Sequence, residues 1–455
     1  MKVKAKLTFC GGTGVVTGSN FLLEVGSKKI LIDCGLEQGT EFASEENHRP
    51  FPYDPHKIDL LFVTHAHTDH IGRIPKLVRD GFRGKIYSTP ATRDLASVML
   101  PDTLRILDEE GRRFGVMPLY DGKDIDQTFK LWEVIPYYTS QPLAENVSVY
   151  FKDSGHILGS VLIEFTINGK KIVFTGDLGN SPTLFLRDTD QITDADYLVM
   201  ESVYGDRNHE SKEERKSKFV EVIKDTVHRK RTLLIPAFSL ERTQDMLFEI
   251  NELVEQGAVK DLNVFIDSPL ASHVTEIYKR YTQDFKKSAQ AQIKHGDDPF
   301  DFPKLKFTIQ RQQSEKIDHT ARPKIIIAGS GMSAGGRIIK HEKTYLPDPH
   351  TTLLFVGYQT VGSIGRRIMD GAKEIHIGGE RVPVRAEVKK ILGYSSHMDS
   401  DHLIEFVSHT ASTAKKVFVA IGEPKSVLFL VQRLRDYLDV NAVAPKKGET
   451  VELEF

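Results

Sequence analysis

The sequence predicts an α/β protein that joins a sheet-rich part to a doubly wound part, and three observations lead there. Up to about residue 200 short strands dominate and helices are few, as two packed sheets covered by helices would require. Beyond Glu201 strand and helix alternate, which implies a parallel, doubly wound sheet. After about Gly371 the text returns to short strands and one amphipathic C-terminal helix. Domains are therefore expected at 1–206 and 207–371, with 372–455 returning to the first.

At 455 residues the chain is long enough for two or three cores. Its 61 basic and 63 acidic residues leave a net charge of −2. No global field then draws nucleic acid, and any grip on phosphates must come from a local groove. Two cysteines, Cys10 and Cys34, provide neither a disulfide framework nor a Cys-rich zinc site and suit a reducing cytoplasm. Met1 to Leu7 alternates charged and apolar residues as a strand does, without the apolar stretch of a signal peptide. No run of 18 apolar residues occurs, so no membrane-spanning helix is expected.

Strands are predicted at Lys4 to Cys10, Asn20 to Val25 and Lys29 to Asp33, the last two joined by a hairpin at Gly26-Ser27. The apolar run Leu60 to Val63 is a buried strand. A helix from Ile71 to Arg79, closed by Gly81, leads to a strand at Lys85 to Ser88. A helical stretch from Ala91 to Glu110 carries Pro101 as a kink. Strands return at Lys130 to Pro136, Val147 to Lys152, Val161 to Ile167 and Lys171 to Thr175, with Asn168-Gly169 as a hairpin turn. Further on, Ser211 and Glu214 form a capping box, and strands at Thr232 to Ala237, Asn263 to Asp267, Lys324 to Ala328 and Thr352 to Val356 alternate with helices. Lys286 to Pro323 reads as a long irregular insertion. The helix Lys425 to Leu438 and a strand at Thr450 to Glu454 follow.

The chemistry concentrates in Thr64-His65-Ala66-His67-Thr68-Asp69-His70, directly after a buried strand. His65 and His67, two apart in extended backbone, project to one side and can chelate a single ion. Asp69 and His70 follow as the chain turns, and can reach a neighbouring ion about 3.5–4 Å away, the spacing of paired hydrolytic metals. Imidazole with carboxylate suits zinc, or manganese or iron. Gly155-His156 and Gly176-Asp177 would each read alone as turns; beside the loop they supply a further imidazole and a carboxylate able to bridge two ions. Asp33, after Ile30-Leu31-Ile32, is a carboxylate that orients a ligand histidine or caps a turn. Gly329 to Arg337 opens a helix after a strand, where Ser330, Gly331, Ser333 and Arg337 could cradle a phosphate or simply form a tight turn.

Leu31 to Gly35, Thr64 to His70, Gly155-His156 and Gly176-Asp177 resemble, in order, the four motifs of the metallo-β-lactamase fold. Glu201, followed by Ser202-Val203-Tyr204-Gly205-Asp206-Arg207, is similar to motif A of the β-CASP nuclease branch, and His397 to its motif B. The resemblance spans the chain and is closest to the RNA-processing members. It implies an αββα metallo-β-lactamase domain with an inserted doubly wound β-CASP domain facing the metal site across a cleft. It further implies two zinc ions, or manganese, held by His65, His67, Asp69, His70, His156 and Asp177. His397, positioned by Glu201, and Asp69 are the expected catalytic residues, and Ser330, Gly331, Ser333 and Arg337 the expected contacts to the phosphates of RNA.

One departure bears on the second ion. RNA-acting members carry a metal-ligating histidine some twenty residues after motif B, and Ile421 stands there in this chain. Weaker occupancy of the second site follows, with His402 as the candidate replacement. The expected activity is cleavage of single-stranded RNA, endonucleolytic and with 5'-to-3' exonuclease action as a further mode, in the cytoplasm and with a homodimer admitted. The alternatives are a DNA nuclease of the same fold, which the aliphatic residue favours, and a catalytically weak scaffold subunit of an RNA-processing complex.

Overall fold

The computed structural model describes residues 3–39, 43–357, 359 and 362–455; Met1 and Lys2, part of the alternating N-terminal stretch, lie outside them. The chain divides into two compact units. One comprises Met1–Thr183, Arg187–Asn208 and His397–Phe455, the other Leu184–Leu186 and His209–Ser396.

Among the described residues the first unit holds two seven-stranded sheets. One runs Thr450–Glu454, Lys4–Gly11, Asn20–Val25, Lys28–Ile32, Leu60–Phe62, Lys85–Ser88 and Trp132–Val134. The other runs Ala442–Val443, Lys416–Val419, Tyr197–Met200, Lys170–Phe174, Val161–Ile167, Val147–Asp153 and Ser140–Ala144. Alternation puts every second side chain of each sheet into a shared apolar layer. There Phe62 meets Phe165 edge-on at 5.2 Å and Phe151 at 6.3 Å, and Phe9 meets Phe418 at 5.3 Å. Such aromatic pairs add to the area they bury and set the spacing of the sheets. On the outer face of the second sheet, Leu162, Val173 and Leu198 pack with Leu403, Phe406, Leu430 and Leu434 of the helices Ser400–Ser408 and Pro424–Leu438. The sandwich covered by helices is as expected.

The second unit is built on a six-stranded sheet, in the order Leu305–Phe307, Asn263–Asp267, Lys324–Ala328, Thr232–Pro236, Thr351–Phe355 and Glu387–Lys390. Every pairing in it is parallel. Its central strands are buried along their whole length, as continuous apolar runs covered on both faces must be.

Several local expectations change. The helix after the ligand loop is two short ones, Thr68–Ile71 and Ile74–Arg79, because Gly72 packs against Leu36 and the chain turns at Arg73. The helix Pro90–Phe114 continues through Pro101, which removes one hydrogen bond of a 25-residue ladder without ending it. Gly122–Leu131 is helical, started by a reciprocal cap between Asp121 and Asp124, and takes Lys130 and Leu131 from the strand expected at Lys130 to Pro136, which is observed as Trp132–Val134. The stretch from Lys286 to Pro323 is not irregular: it holds the helices Lys287–Lys294 and Arg311–Asp318 and the strand Leu305–Phe307. The strands beyond residue 372 stay with the second unit, since Glu387–Lys390 pairs with Thr351–Phe355, and the chain re-enters the first unit at His397.

Candidate metal centre

Strand Leu60–Phe62 lies between Lys28–Ile32 and Lys85–Ser88, all parallel, so the chain emerges at one edge of the sheet already buried. His65 is fully buried there. Asp33, just past Ile32, adopts φ 59° and aims its carboxylate back under the loop. That carboxylate accepts from Thr64 N at 2.8 Å, Thr64 Oγ1 at 2.9 Å, Ser19 Oγ at 3.1 Å and His70 Nδ1 at 2.7 Å. With Nδ1 donating to Asp33, the His70 ring presents Nε2 to the other side. Gly35 permits the loop to close over this support: a Cβ there would stand 1.5 Å from the carbonyl oxygen of Asp69.

Asp177, past the end of Lys170–Phe174, is the point of convergence. Its Oδ1 faces His70 Nε2 at 3.3 Å, while Oδ2 faces His65 Nε2 and His156 Nε2 at 3.4 Å each. His67 Nδ1 lies 3.0 Å from His65 Nε2 and 3.2 Å from His156 Nε2. A ligand atom from each of His65, His67, His156 and Asp177 falls within 4.8 Å of the others. A tetrahedral zinc site has ligand-to-ligand edges of about 3.3 Å, given bonds of about 2.0–2.1 Å. The three imidazole nitrogens and Asp177 Oδ2 converge at separations of 3.0–3.4 Å, which match such edges. On the other side, His70 Nε2 and Asp177 Oδ1 are buried 3.3 Å apart, and among the described residues neither has any further partner. The cluster therefore fits divalent metal.

Charge agrees with geometry. Burial holds the His67 and His156 imidazoles well below the usual range, and burial with the nearby His70 lowers His65, so all three are neutral and able to donate lone pairs. Burial alone would raise the Asp177 carboxyl, yet His70 and His65 hold it well below the usual carboxylate range. Burial would lower His70, and Asp177 and Asp33 instead push it well above, placing a positive charge between two carboxylates, where a cation would also be stable. Burial and then Asp177, against the pull of His70, leave the Asp69 carboxyl raised.

Beside the cluster, Glu201 closes the strand Tyr197–Met200 and is fully buried. Leu178 N donates to its Oε1 at 2.6 Å, and both its oxygens lie 3.2 Å from His397 Nδ1. His397 is fixed by a backbone bridge to Gly179, and its ring centroid is 4.7 Å from that of His156. Burial would lower its imidazole, but Glu201 pushes it up to about 9. Asp177, Glu201 and His397 form a second group of close ligand atoms.

The remaining expected residues divide. Ile421 adopts φ 42°, is buried in the layer between the sheets, and offers no ligand atom. His402 does not replace it: its Nδ1 bonds Asp399 at 2.6 Å and its side chain is half exposed. Ser330 and Gly331 stand in the glycine-rich turn as expected, but Ser333 and Arg337 are turned inward. Ser333 is buried and donates to Glu342, and Arg337 donates to Asp267 Oδ1 at 2.6 Å and to the carbonyl of Thr308 at 2.8 Å. Ser19 and Thr64, which hold Asp33, were not expected; nothing in their spacing marks them.

The fold and the cluster define a metal-dependent hydrolase, and residues 22–201 match the metallo-beta-lactamase superfamily domain. Residues 243–368 match the Beta-Casp domain and residues 381–445 the Zn-dependent metallo-hydrolase RNA specificity domain. The chain is 35% identical over 418 residues to ribonuclease TTHA0252 of Thermus thermophilus, covering 92% of this chain and 91% of that one. It is 31% identical to an RNase J-like protein of Methanocaldococcus jannaschii, covering 97% and 98%. It is also 31% identical to the transcription termination factor FttA of Methanosarcina mazei, covering 98% and 71%. A crystal structure of a protein of unknown function from Enterococcus faecalis shares the fold, with TM-score 0.59, 11% identity, and coverage of 99% and 100%. The chain belongs to the β-CASP family of the metallo-β-lactamase superfamily, the family that includes these ribonuclease relatives.

Proposed function

We propose that this chain hydrolyses phosphodiester bonds in single-stranded RNA, as an endoribonuclease with 5'-to-3' exonuclease action as a further mode. The observation that carries the reading is Asp177, whose two oxygens face two separate sets of imidazoles while His397 stands 4.0 Å from the second oxygen. His65, His67, His156 and Asp177 would hold one zinc ion, and Asp69, His70 and Asp177 a second and weaker one, with manganese as the alternative ion. Bound there, such ions acidify water and offset the charge that develops at phosphorus. The chain's own groups supply the rest. Asp33 keeps Nδ1 of His70 protonated and Nε2 facing inward. His397, held by Glu201, gives its proton to the departing oxygen. Ser330 and Gly331 contact phosphates, and the RNA specificity domain and the ribonuclease relatives support RNA as the polymer.

Ile421 favours a second reading, cleavage of DNA, because the aliphatic residue at this position resembles that of the DNA-acting members. Labelled single-stranded RNA and DNA of one sequence, incubated with zinc- or manganese-loaded protein and with Asp177→Ala and His397→Ala, decide between them. RNA cleavage lost in both variants is expected; cleavage of neither polymer, or cleavage untouched by both substitutions, overturns the assignment. A cytoplasmic location fits the two buried, unpaired cysteines, and a homodimer fits the exposed Leu428, Phe429 and Tyr437 on one helix.

A further inference from the structure

In the second unit the neighbouring strands Thr232–Pro236 and Lys324–Ala328 send the chain in opposite directions. From the first it passes through the helix Arg242–Glu255 to Asn263–Asp267 on one side, and from the second through Ile338–Tyr345 to Thr351–Phe355 on the other. In an open parallel sheet such a divergence leaves a crevice beyond the carboxyl ends of the strands, where ligands are taken.

The residues at this crevice have a nucleotide's chemistry. Phe238 is 44% exposed although Ala237 and Leu240 on either side are buried. Its ring lies along the turn of the second strand: a Cβ added to Gly331 would stand 3.0 Å from both the ring and the backbone N of Phe238. Glycine at 331 thus lets the Phe238 ring and a backbone turn meet with nothing between them. Behind the ring, Ser239 Oγ and Ser268 Oγ are 3.1 Å apart, so only one of their two hydroxyl protons is used between them. Ser268 Oγ also accepts from Ala271 N at 3.2 Å. Ser330 Oγ accepts from Ala334 N at 3.1 Å, and its own proton has no acceptor among the described residues. A Cβ on Gly329 would meet the Ser239 and Ser268 hydroxyls in van der Waals contact at 3.5 and 3.7 Å, so both hydroxyls lie beside the backbone of this turn. Arg337, which would bring positive charge, is held by Asp267.

We infer that this crevice is a subsite for one nucleotide of single-stranded RNA, in which the base stacks on Phe238 and the sugar-phosphate accepts hydrogen bonds from Ser239 and Ser330. The inference rests on the RNA-cleaving reading above and adds to it a base-contacting aromatic. Stacking on a π-face accepts any base, and hydroxyl donors in place of a cation make the contact insensitive to salt.

The test is fluorescence anisotropy of a short labelled single-stranded RNA on the full chain in chelator, so that binding is read without cleavage. Phe238→Ala is expected to weaken binding about tenfold and to leave the salt dependence unchanged. Phe238→Trp is expected to restore it, with tryptophan emission quenched as RNA is added; the one native tryptophan, Trp132, is buried. Adenosine monophosphate should compete where inorganic phosphate at equal concentration does not. Wild-type affinity in Phe238→Ala, or competition by phosphate equal to that by the nucleotide, overturns the subsite. If the wild-type protein still cleaves RNA in that case, the functional reading stands; a wild-type protein that neither binds nor cleaves RNA removes both.

Discussion

The carboxylate of Asp33 lies 2.7 Å from Nδ1 of His70, and the same carboxylate is held by Thr64 and Ser19. A ligand histidine whose far nitrogen is fixed in this way has one tautomer and one orientation, and removing such support typically costs about 10- to 100-fold in metal affinity. Asp33→Asn keeps the shape and loses the charge. Titration against a chelator should then show one ion released more readily by about that factor, while the ion on His65, His67 and His156 is retained. Equal weakening of both ions would mean that Asp33 supports the loop as a whole.

His397 and Glu201 allow a separation of chemistry from binding. His397→Ala removes a proton donor without removing a member of the three-histidine cluster. Metal content should be unchanged, while the cleavage rate under saturating substrate falls by about 10²- to 10⁴-fold. Glu201→Gln should reproduce much of the loss, because its two oxygens position the His397 ring. Loss of metal in either variant would reassign the pair to ligation.

Glu342 sets a stability dependence on pH far from the metal chemistry. Burial pushes its carboxyl up from the ordinary 4.5 to about 7, with Ser333 as the opposing hydrogen bond. The folded state thus binds the proton more tightly than the unfolded chain. The stabilisation is complete below pH 4.5 and is lost as pH rises through about 7, a change of about 3 kcal/mol. Denaturant melts of the wild type and Glu342→Gln across pH 4 to 8 read it directly. The wild type should lose stability over that window relative to the variant, which keeps the Ser333 contact and has no proton to release.

The ligand loop is legible in the sequence because metal ligands must converge, and convergence within one loop leaves four donor side chains in six residues at the end of an apolar run. Asp177 and His156 are legible by the same logic, at one remove, as polar residues beside glycines at strand ends. Ser19 and Thr64 are not, because their common partner Asp33 is met only when separate strands pack. The helix Gly122–Leu131 carries a signal in Asp121 and Asp124, three apart as a reciprocal cap needs, but without the Ser/Thr and Glu/Gln that mark such a cap most plainly. At Ser333 and Arg337 the sequence shows a glycine-rich turn but not which way its side chains face, and the buried carboxylates of Glu342 and Asp267 decide that.

The pairing of Glu201 with His397 spans 196 positions along the chain. Lys416–Val419, the strand beside Tyr197–Met200, comes later still. A single backbone cut between residues 209 and 396 would put Glu201 and His397 on different fragments, joined in the first unit by the pairing of Tyr197–Met200 with Lys416–Val419.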